Sequence, residues 1–126
     1  MEIYHAIGKE TFEAVIRDFY DKVFDDVMIG YFFHGKDKEQ LIRHQIQFTS
    51  QILGAPPVPY EGKPIQSAHQ SLKGLRRPHF HRRQQILKET LEEHKVETNL
   101  INGWLQLENR LLPLVLTNAK SLDCAD

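Results

Sequence analysis

The sequence predicts a single all-α domain of 126 residues. Apolar residues recur at intervals of three and four along most of the chain, which is the spacing of one face of an α-helix. Glycine and proline separate these segments, and no convincing run alternates apolar and polar residues as a half-buried strand would. We therefore expect helices joined by turns and no strand. A chain of this length buries a core without disulfides or metals.

Composition and charge exclude several classes of protein. Hydrophobic content of 40% and a formal net charge of -1 offer no electrostatic basis for binding nucleic acid or an anionic membrane. The single cysteine, Cys124, cannot form an intrachain disulfide, which suits a reducing compartment. No leader-like segment follows Met1, and no apolar run approaches the roughly 20 residues of a membrane span. We therefore expect a cytoplasmic protein with no membrane or nucleic-acid partner.

The first long helix is predicted from about Lys9 to Val27. Its apolar stripe follows the helical spacing closely and consists of Phe12, Val15, Ile16, Phe19, Tyr20, Val23 and Phe24. Gly30 breaks the pattern, and a single turn over Tyr31, Phe32 and Phe33 ends at Gly35.

The next helix is predicted to begin at Asp37, whose side chain suits the N-cap, with Gln40 at the capping-box position. One of its faces carries Leu41, His44, Gln45, Phe48 and Ile52. Gly54 and the Pro56-Pro57 pair stop it. After a Pro/Gly-rich loop, Pro64 suits the start of a short helix that ends at Gly74 and has Ile65, Ala68, His69 and Leu72 along one side.

Two more helices complete the predicted domain. The first opens at Pro78 and runs to about His94, with Phe80, Leu87 and Leu91 facing inward. The last begins near Thr98, places Trp104 at a core position and is kinked or ended by Pro113. We assign residues 1–117 to the domain and 118–126 to a frayed C-terminal tail.

Several side chains on the inward faces are unusual for a plain core. His69 lies on a helix too short to be stable alone, so a metal bond would anchor it, although a hydrogen-bonded core histidine is the alternative. Tyr20, His44 and Gln45 also face inward, among phenylalanines. Tyr20 and Gln45 either satisfy each other or donate to a bound ligand.

The order of these motifs resembles one family across most of the chain, from about Tyr4 to Pro113. The motifs are Phe19–Val23, Asp25-Asp26, Phe32-Phe33, His44-Gln45 with Phe48, Leu53-Gly54, Tyr60–Lys63, Ala68–Gln70 and His79-Phe80. In this order and spacing they resemble the truncated haemoglobins, most closely the first group. The resemblance implies a truncated globin fold, a two-over-two helical sandwich around one haem b (iron protoporphyrin IX).

The resemblance also implies roles for individual residues. His69 matches the proximal ligand of the haem iron, and Tyr20 matches the tyrosine that donates a hydrogen bond to bound dioxygen. Gln45 matches a glutamine that assists Tyr20. The pocket residues are Phe33, Leu41, Phe48, Ile65 and Phe80, and His79 is interpreted as a helix-start residue rather than a ligand.

Two features of the site are open or depart from the family pattern. His44 either binds the iron as a sixth ligand or reaches a haem propionate at the rim. A Gly8-Lys9 pair stands where the family usually has two glycines. No histidine follows His94, so the covalent haem link that some relatives form from the last helix is not available.

The function implied by the resemblance is reversible binding of dioxygen, as in oxygen transport, and of nitric oxide and carbon monoxide. Nitric oxide dioxygenation would additionally need an unidentified reductase. Two alternatives remain. One is a six-coordinate His44-Fe-His69 protein for electron transfer or for reduction of peroxide or nitrogen oxides. The other is a haem-free helical interaction module.

Overall fold

The computed structural model describes residues 2–56 and 76–110, and within these two ranges it contains helices and turns but no strand. The helices are α1 (Ile3–Ile7), α2 (Lys9–Asp25), a 3-10 helix (Gly30–Phe33), α3 (Lys38–Ile52), α4 (Arg77–Glu93) and α5 (98–110). The predicted all-α class is confirmed. None of the helices in these ranges is long and apolar enough to cross a membrane.

Helix α2 is at the centre of the fold. It packs against α1, the 3-10 helix, α3 and α4. Its buried residues are those of the predicted stripe, Phe12, Val15, Ile16, Phe19, Tyr20 and Val23. Phe24, the last member of that stripe, is only half-buried and packs against Phe33 with ring centroids 5.4 Å apart. The periodic pattern therefore identified the face around which the core is built.

Helix α1 was not predicted, and it closes the core from the N-terminal side. Gly8 separates it from α2 with φ +91°, a conformation that glycine adopts without steric cost. The backbone N–H of Tyr4 donates to the carbonyl of Leu53 at 2.9 Å, which joins α1 to the end of α3. With one turn and a single buried residue, Ile3, α1 is too short to show a periodic pattern.

Helix α2 ends at Asp25, two residues before the predicted end at Val27. The cause is the side chain of Asp26, whose Oδ2 accepts the backbone N–H groups of Met28 (3.0 Å) and Ile29 (3.1 Å). A carboxylate that accepts local amides offers the backbone an alternative to continued helix. Val27 is consequently fully exposed, although its sequence position suggested the helix.

The turn after α2 depends on Gly30. A Cβ atom at this position would lie 2.7 Å from the carbonyl oxygen of Phe24, closer than side-chain atoms approach a backbone oxygen. The absence of a side chain lets the 3-10 helix lie directly against the end of α2 and places Phe32 in the core and Phe33 at its edge.

Helix α3 begins and ends as its sequence indicated. Asp37 caps it by accepting the backbone N–H of Gln40 at 3.1 Å. At the other end, the N–H of Ala55 donates to the carbonyl of Ser50 at 2.9 Å and Gly54 has φ +101°. This glycine-dependent arrangement satisfies the last carbonyls of a helix.

Helices α4 and α5 cover the other side of α2. Pro78 lies in the first turn of α4, and Nδ1 of His79 accepts the backbone N–H of Arg76 at 2.9 Å, which confirms the prediction that His79 is a helix-start residue. On α5, Trp104 is 1% exposed and lies 5.7 Å from the ring of Phe12, so its predicted core position is confirmed. Within the two described ranges its indole N–H has no hydrogen-bond partner.

Candidate functional site

Tyr20 is the polar centre of the candidate site. It lies on the inward face of α2 and is 5% exposed. The edge of its ring meets Phe19 at a centroid distance of 4.8 Å, and Phe33 at 6.4 Å in a similar T-shaped geometry. A phenol is thus held among aromatic rings, where hydrogen bonds to its hydroxyl are stronger than in water.

Arg83 of α4 approaches the same phenol. Its Nη1 donates to Oε1 of Glu108 on α5 at 2.6 Å, and its guanidinium is close enough to Tyr20 for the two groups to interact electrostatically. The guanidinium carbon lies 4.9 Å from the ring centroid of Phe19, a cation-π distance. Three helices therefore contribute to one polar cluster, Tyr20, Arg83 and Glu108.

The groups around Arg83 keep its guanidinium charged. Burial works to lower the pKa of the guanidinium, but the Glu108 carboxylate, the hydrogen bond to it and the interaction with Tyr20 outweigh it, so the pKa lies above its ordinary value. The side chain of Glu108 is 10% exposed and that of Arg83 is 26% exposed. The buried carboxylate of Glu108 and the half-buried guanidinium of Arg83 stay charged because they are paired and hydrogen-bonded.

The predicted pocket face of α3 differs from its core face. The buried residues of this helix are Ile42, Thr49 and Ser50. The predicted pocket residues, which lie on another side of the helix, are all half-buried: Leu41, His44, Gln45 and Phe48. Leu41 and Phe33 both pack against the main hydrophobic cluster. The face is therefore mixed, with apolar walls and two polar side chains that are partly accessible.

The structure describes the site from α2, the 3-10 helix, α3, α4 and α5. Phe80 of α4 is 6% exposed, as expected for an inward-facing residue. The predicted iron ligand His69 and its neighbour Ile65 lie outside the described residues, as does the predicted tail 118–126. Of the four histidines without a proposed site role, His5, His34 and His81 are exposed and His94 is half-buried.

The described residues fit a haem by the chemistry that they present. A flat, largely apolar cofactor needs apolar walls, and Phe33, Leu41 and Phe48 present such walls without being part of the fully buried core. A small polar ligand at its centre needs a hydrogen-bond donor, and the buried residue Tyr20 carries a hydroxyl that can be one. The described residues therefore combine apolar walls with a few polar side chains, as a cofactor pocket does.

Arg83 and Glu108 were not predicted from the sequence as parts of the site. Arg83 lies three residues after Phe80 and four before Leu87, both buried, and Glu108 lies four residues after the buried Trp104. This spacing places both charges on inward helix faces. Two opposite charges at core positions of consecutive helices are the signal that would have identified the pair.

An open groove of about 640 Å³ between α2 and α3 lies apart from this cluster. It is lined largely by polar and charged side chains, including Glu13, Arg17 and Glu39, and contains none of the predicted pocket residues. Arg17 and Glu39 form an exposed ion pair across it at 2.8 Å. Exposed pairs of this kind contribute little to stability, and the groove has no chemistry of its own.

Comparison with known proteins agrees with this architecture. The family model for bacterial-like globins matches residues 2–113. A group 1 truncated haemoglobin of Tetrahymena pyriformis is 33% identical over 101 residues, which is 79% of this chain and 82% of that protein. A group 1 truncated haemoglobin of Mycolicibacterium paratuberculosis is 37% identical over 79 residues, 62% of this chain but only 57% of that protein's length.

Solved structures show the same fold. The Fe(III) form of the Tetrahymena pyriformis truncated haemoglobin has a TM-score of 0.85 at 28% identity, covering 92% of this chain and 98% of that one. The 2/2 haemoglobin of Synechococcus sp. PCC 7002, solved in the cyanomet state with covalently attached haem, has a TM-score of 0.82 at 26% identity, covering 93% and 99%. The truncated, two-over-two globin fold implied by the motifs is confirmed, and the chain belongs to the bacterial-like globin family.

Proposed function

We propose that this globin binds haem b through His69 and uses it to bind dioxygen and other diatomic ligands reversibly. The observation that carries the proposal is the buried phenol of Tyr20, whose ring packs in T-shaped geometry against the rings of Phe19 and Phe33. Membership of a globin family, whose members generally bind haem, supports the cofactor. The absence of a histidine after His94 supports non-covalent attachment, unlike the covalent haem of the Synechococcus protein.

Each residue contributes a separate step to ligand binding. His69 would supply a neutral imidazole nitrogen to the iron, and bound haem supplies the metal that takes the diatomic ligand. The hydroxyl of Tyr20, with the amide of Gln45 on α3, would donate hydrogen bonds to a ligand that carries partial negative charge. The phenylalanines and Leu41 would keep water from the metal.

The first experiment is the absorption spectrum of the purified protein. A Soret band in the ferric, ferrous and carbonyl forms is expected, and acidified organic solvent should extract the haem completely because no covalent bond holds it. A colourless chain that does not take up added haem would favour the haem-free interaction module and would end the proposal.

The iron ligand is tested by His69→Ala, with His81→Ala as the matched control because His81 is exposed on α4. The first variant should lose or greatly loosen haem, since the only proposed protein bond to the metal is gone. The control should retain haem at the wild-type level. Equal retention in both variants would show that another residue is the ligand.

Tyr20→Phe tests the donor, because it removes the hydroxyl and keeps the ring contacts with Phe19 and Phe33. A hydrogen bond to a charged acceptor contributes about 1.5–3 kcal/mol, so the dioxygen dissociation rate should rise by roughly 10- to 100-fold. Stopped-flow displacement of dioxygen by carbon monoxide measures this rate. A wild-type dissociation rate in the variant would show that the Tyr20 hydroxyl does not donate to bound dioxygen.

His44 is half-buried on the same face as Leu41 and Phe48, which supports a second candidate function, that of a six-coordinate haem protein. If His44 as well as His69 held the iron, the ligand-free ferrous protein would be low-spin and suited to electron transfer or to reduction of peroxide or nitrogen oxides. If His44 stays at the haem rim, the ferrous protein is high-spin. The spectrum of the ferrous form, compared between wild type and His44→Leu, separates the two.

Nitric oxide dioxygenation is the catalytic extension of this proposal. Dioxygen and nitric oxide would combine to nitrate with the iron left ferric, so each turnover needs one electron from a reductase. Rapid mixing of the dioxygen-loaded protein with nitric oxide should give nitrate in equal amount. Without nitrate, the activity is limited to ligand binding. A cytoplasmic location stays a prediction of the sequence.

A further inference from the structure

We propose that His79 is a proton-sensitive cap of α4, and that its protonation opens the first turn of this helix. The hydrogen bond involved lies within the chain itself, so this role of His79 is independent of the proposed haem site. Only its consequence for haem retention rests on that site, because the next residue, Phe80, is 6% exposed and is a predicted pocket residue.

The cap requires a neutral imidazole. A backbone N–H can only donate, so the 2.9 Å bond from the Arg76 amide makes Nδ1 of His79 the acceptor. A neutral imidazole has one acceptor nitrogen, and the hydrogen of His79 is then on Nε2. A protonated imidazole has two donors and no acceptor. A proton on Nδ1 would therefore break the bond and leave two donors facing each other.

Histidine is an unusual residue type for this position. His79 is the third residue of α4, where glutamate or glutamine ordinarily reaches back to the backbone N–H of the N-cap residue. A glutamine side chain does not titrate, and a glutamate takes up a proton only near about pH 4. Imidazole changes its charge near physiological pH. A histidine in this role therefore makes the start of the helix respond to mild acid.

The charges of α4 itself oppose a proton on His79. The first turn of the helix contains no acidic residue. Arginines flank His79 on both sides in the chain, at positions 76, 77, 82 and 83. Positive charge is unfavourable at the N-terminal end of a helix, where the macrodipole is itself positive. Protonation would therefore break the cap without creating a favourable charge interaction on the same helix.

The neighbouring elements also leave His79 without a carboxylate partner among the described residues. The 3-10 helix meets the imidazole through Phe32, edge-on at 5.0 Å, and its titratable residue is Tyr31, a phenol stacked on Phe32. Asp26, which precedes the 3-10 helix, and Glu108 of α5 both bond to arginines of α4. An opened first turn would therefore lose the edge-on contact with Phe32 as well as the cap.

The other end of α4 responds in the opposite direction. Two charged side chains of α2 bond to α4 at that end, Lys22 to Glu93 and Asp18 to His94. Oδ2 of Asp18 lies 2.9 Å from Nε2 of His94, the C-cap residue, and a proton on this imidazole would strengthen both its bond to the carboxylate and its interaction with the helix end. Mild acid should therefore loosen α4 at its start and not at its end, unlike general acid unfolding.

The experiment follows single groups by NMR from about pH 7.5 to about pH 5, the range in which imidazole titrates. The purified protein is reduced and saturated with carbon monoxide, so that any bound iron is diamagnetic. The ring nitrogens of His79 report which nitrogen carries the hydrogen, and the protection of the Arg76 amide against exchange, relative to its intrinsic rate at each pH, reports the cap. His79→Gln keeps an acceptor that does not titrate. His81→Gln is the matched control, because His81 is exposed on the same helix.

At neutral pH the wild-type imidazole should carry its hydrogen on Nε2. As His79 takes up a proton, protection of the Arg76 amide should fall by about fivefold, the effect of losing roughly one ordinary hydrogen bond. His79→Gln should keep constant protection across the range, whereas His81→Gln should behave as the wild type does. In the haem-loaded protein, haem loss in mild acid should be slower in His79→Gln than in the wild type.

Two results would overturn the role of His79 whether or not the protein binds haem. One is a hydrogen on Nδ1 at neutral pH. The other is an acid-dependent loss of Arg76 protection that is absent from the wild type or persists in His79→Gln. Equal haem loss in the two proteins would refute the link between the cap and the pocket. A chain that takes up no haem would end the haem proposal and leave the cap to be judged by NMR alone.

Discussion

Asp26 is the residue that connects the end of α2 to α4. Its Oδ1 accepts both Nε (3.0 Å) and Nη2 (2.6 Å) of Arg82, while its Oδ2 accepts the backbone N–H groups of Met28 and Ile29. The hydrogen bonds from Arg82, aided by those two amides, outweigh the effect of burial and hold the pKa of the Asp26 carboxyl below its ordinary value. One carboxylate therefore ends a helix and anchors another.

Asp26 should make the stability of the fold depend on acid pH. Because the folded-state pKa is lowered, the stabilisation is present above the unfolded pKa of about 4 and is lost as pH falls through the folded value. Asp26→Asn should lower the free energy of unfolding by about 1–2 kcal/mol at pH 7, with a smaller difference at pH 2–3. Urea unfolding at several pH values measures this. An equal difference at both ends of the range would contradict the assignment.

Residue identity and spacing predicted part of the candidate site. Tyr20 and Phe80 are buried as their helical positions indicated, and His79 serves the start of its helix. Arg83 and Glu108 escaped prediction because a charged residue at an inward position is ordinarily expected to reach solvent. Only their tertiary pairing explains their burial, and pairing between helices cannot be read from the periodicity of one helix.

At the scale of the element, α4 ends in an unusual way. His94 caps the helix, and the N–H of Val96 donates to the carbonyl of Leu91 at 3.1 Å. Lys95 between them has φ +60°, the left-handed conformation in which helices commonly place glycine. A residue with a side chain is strained there, so this helix end is less stable than its hydrogen bonds would suggest.

Lys95→Gly should therefore stabilise the protein. Relief of the left-handed strain should outweigh the loss of a favourable charge at the helix end and the greater freedom of glycine in the unfolded chain, for a net gain of about 0.5 kcal/mol. Lys95→Ala is the control, because alanine removes the charge and keeps the strain. Thermal or urea unfolding measures both variants, and a gain in alanine equal to that in glycine would refute the explanation.

Interactions at helix ends explain which helix bounds were predicted correctly and which were not. The start of α3 at the Asp37 cap and the extent of α4 after Pro78 follow signals carried by single residues. The end of α2 was placed two residues late because Val27 continues an apolar pattern that Asp26 interrupts through its side chain. Helix α1 was missed because one turn is too short to display a period.

At the scale of the whole molecule, a cofactor in the proposed site would stabilise the fold. A ligand that binds only the folded state adds RT ln(1 + [L]/Kd), about 4 kcal/mol when free haem exceeds its dissociation constant by 1,000-fold. The melting temperature should therefore rise with haem concentration. His69→Ala, which weakens haem binding, should lose most of this dependence while its haem-free form melts near the haem-free wild type. A melting temperature that does not change with added haem would contradict the proposal that the fold binds haem.

The neighbouring residues Arg82 and Arg83 also depend on how α4 is rotated about its own axis. Successive side chains of an α-helix are about 100° apart around its axis, so Arg82 and Arg83 reach different neighbours: the carboxylate of Asp26 for Arg82 and that of Glu108 for Arg83. A single-residue insertion between Pro78 and Arg82 would turn both groups away from their partners at once. We would expect a change of length in this stretch to destabilise the protein more than any single substitution at its exposed position His81.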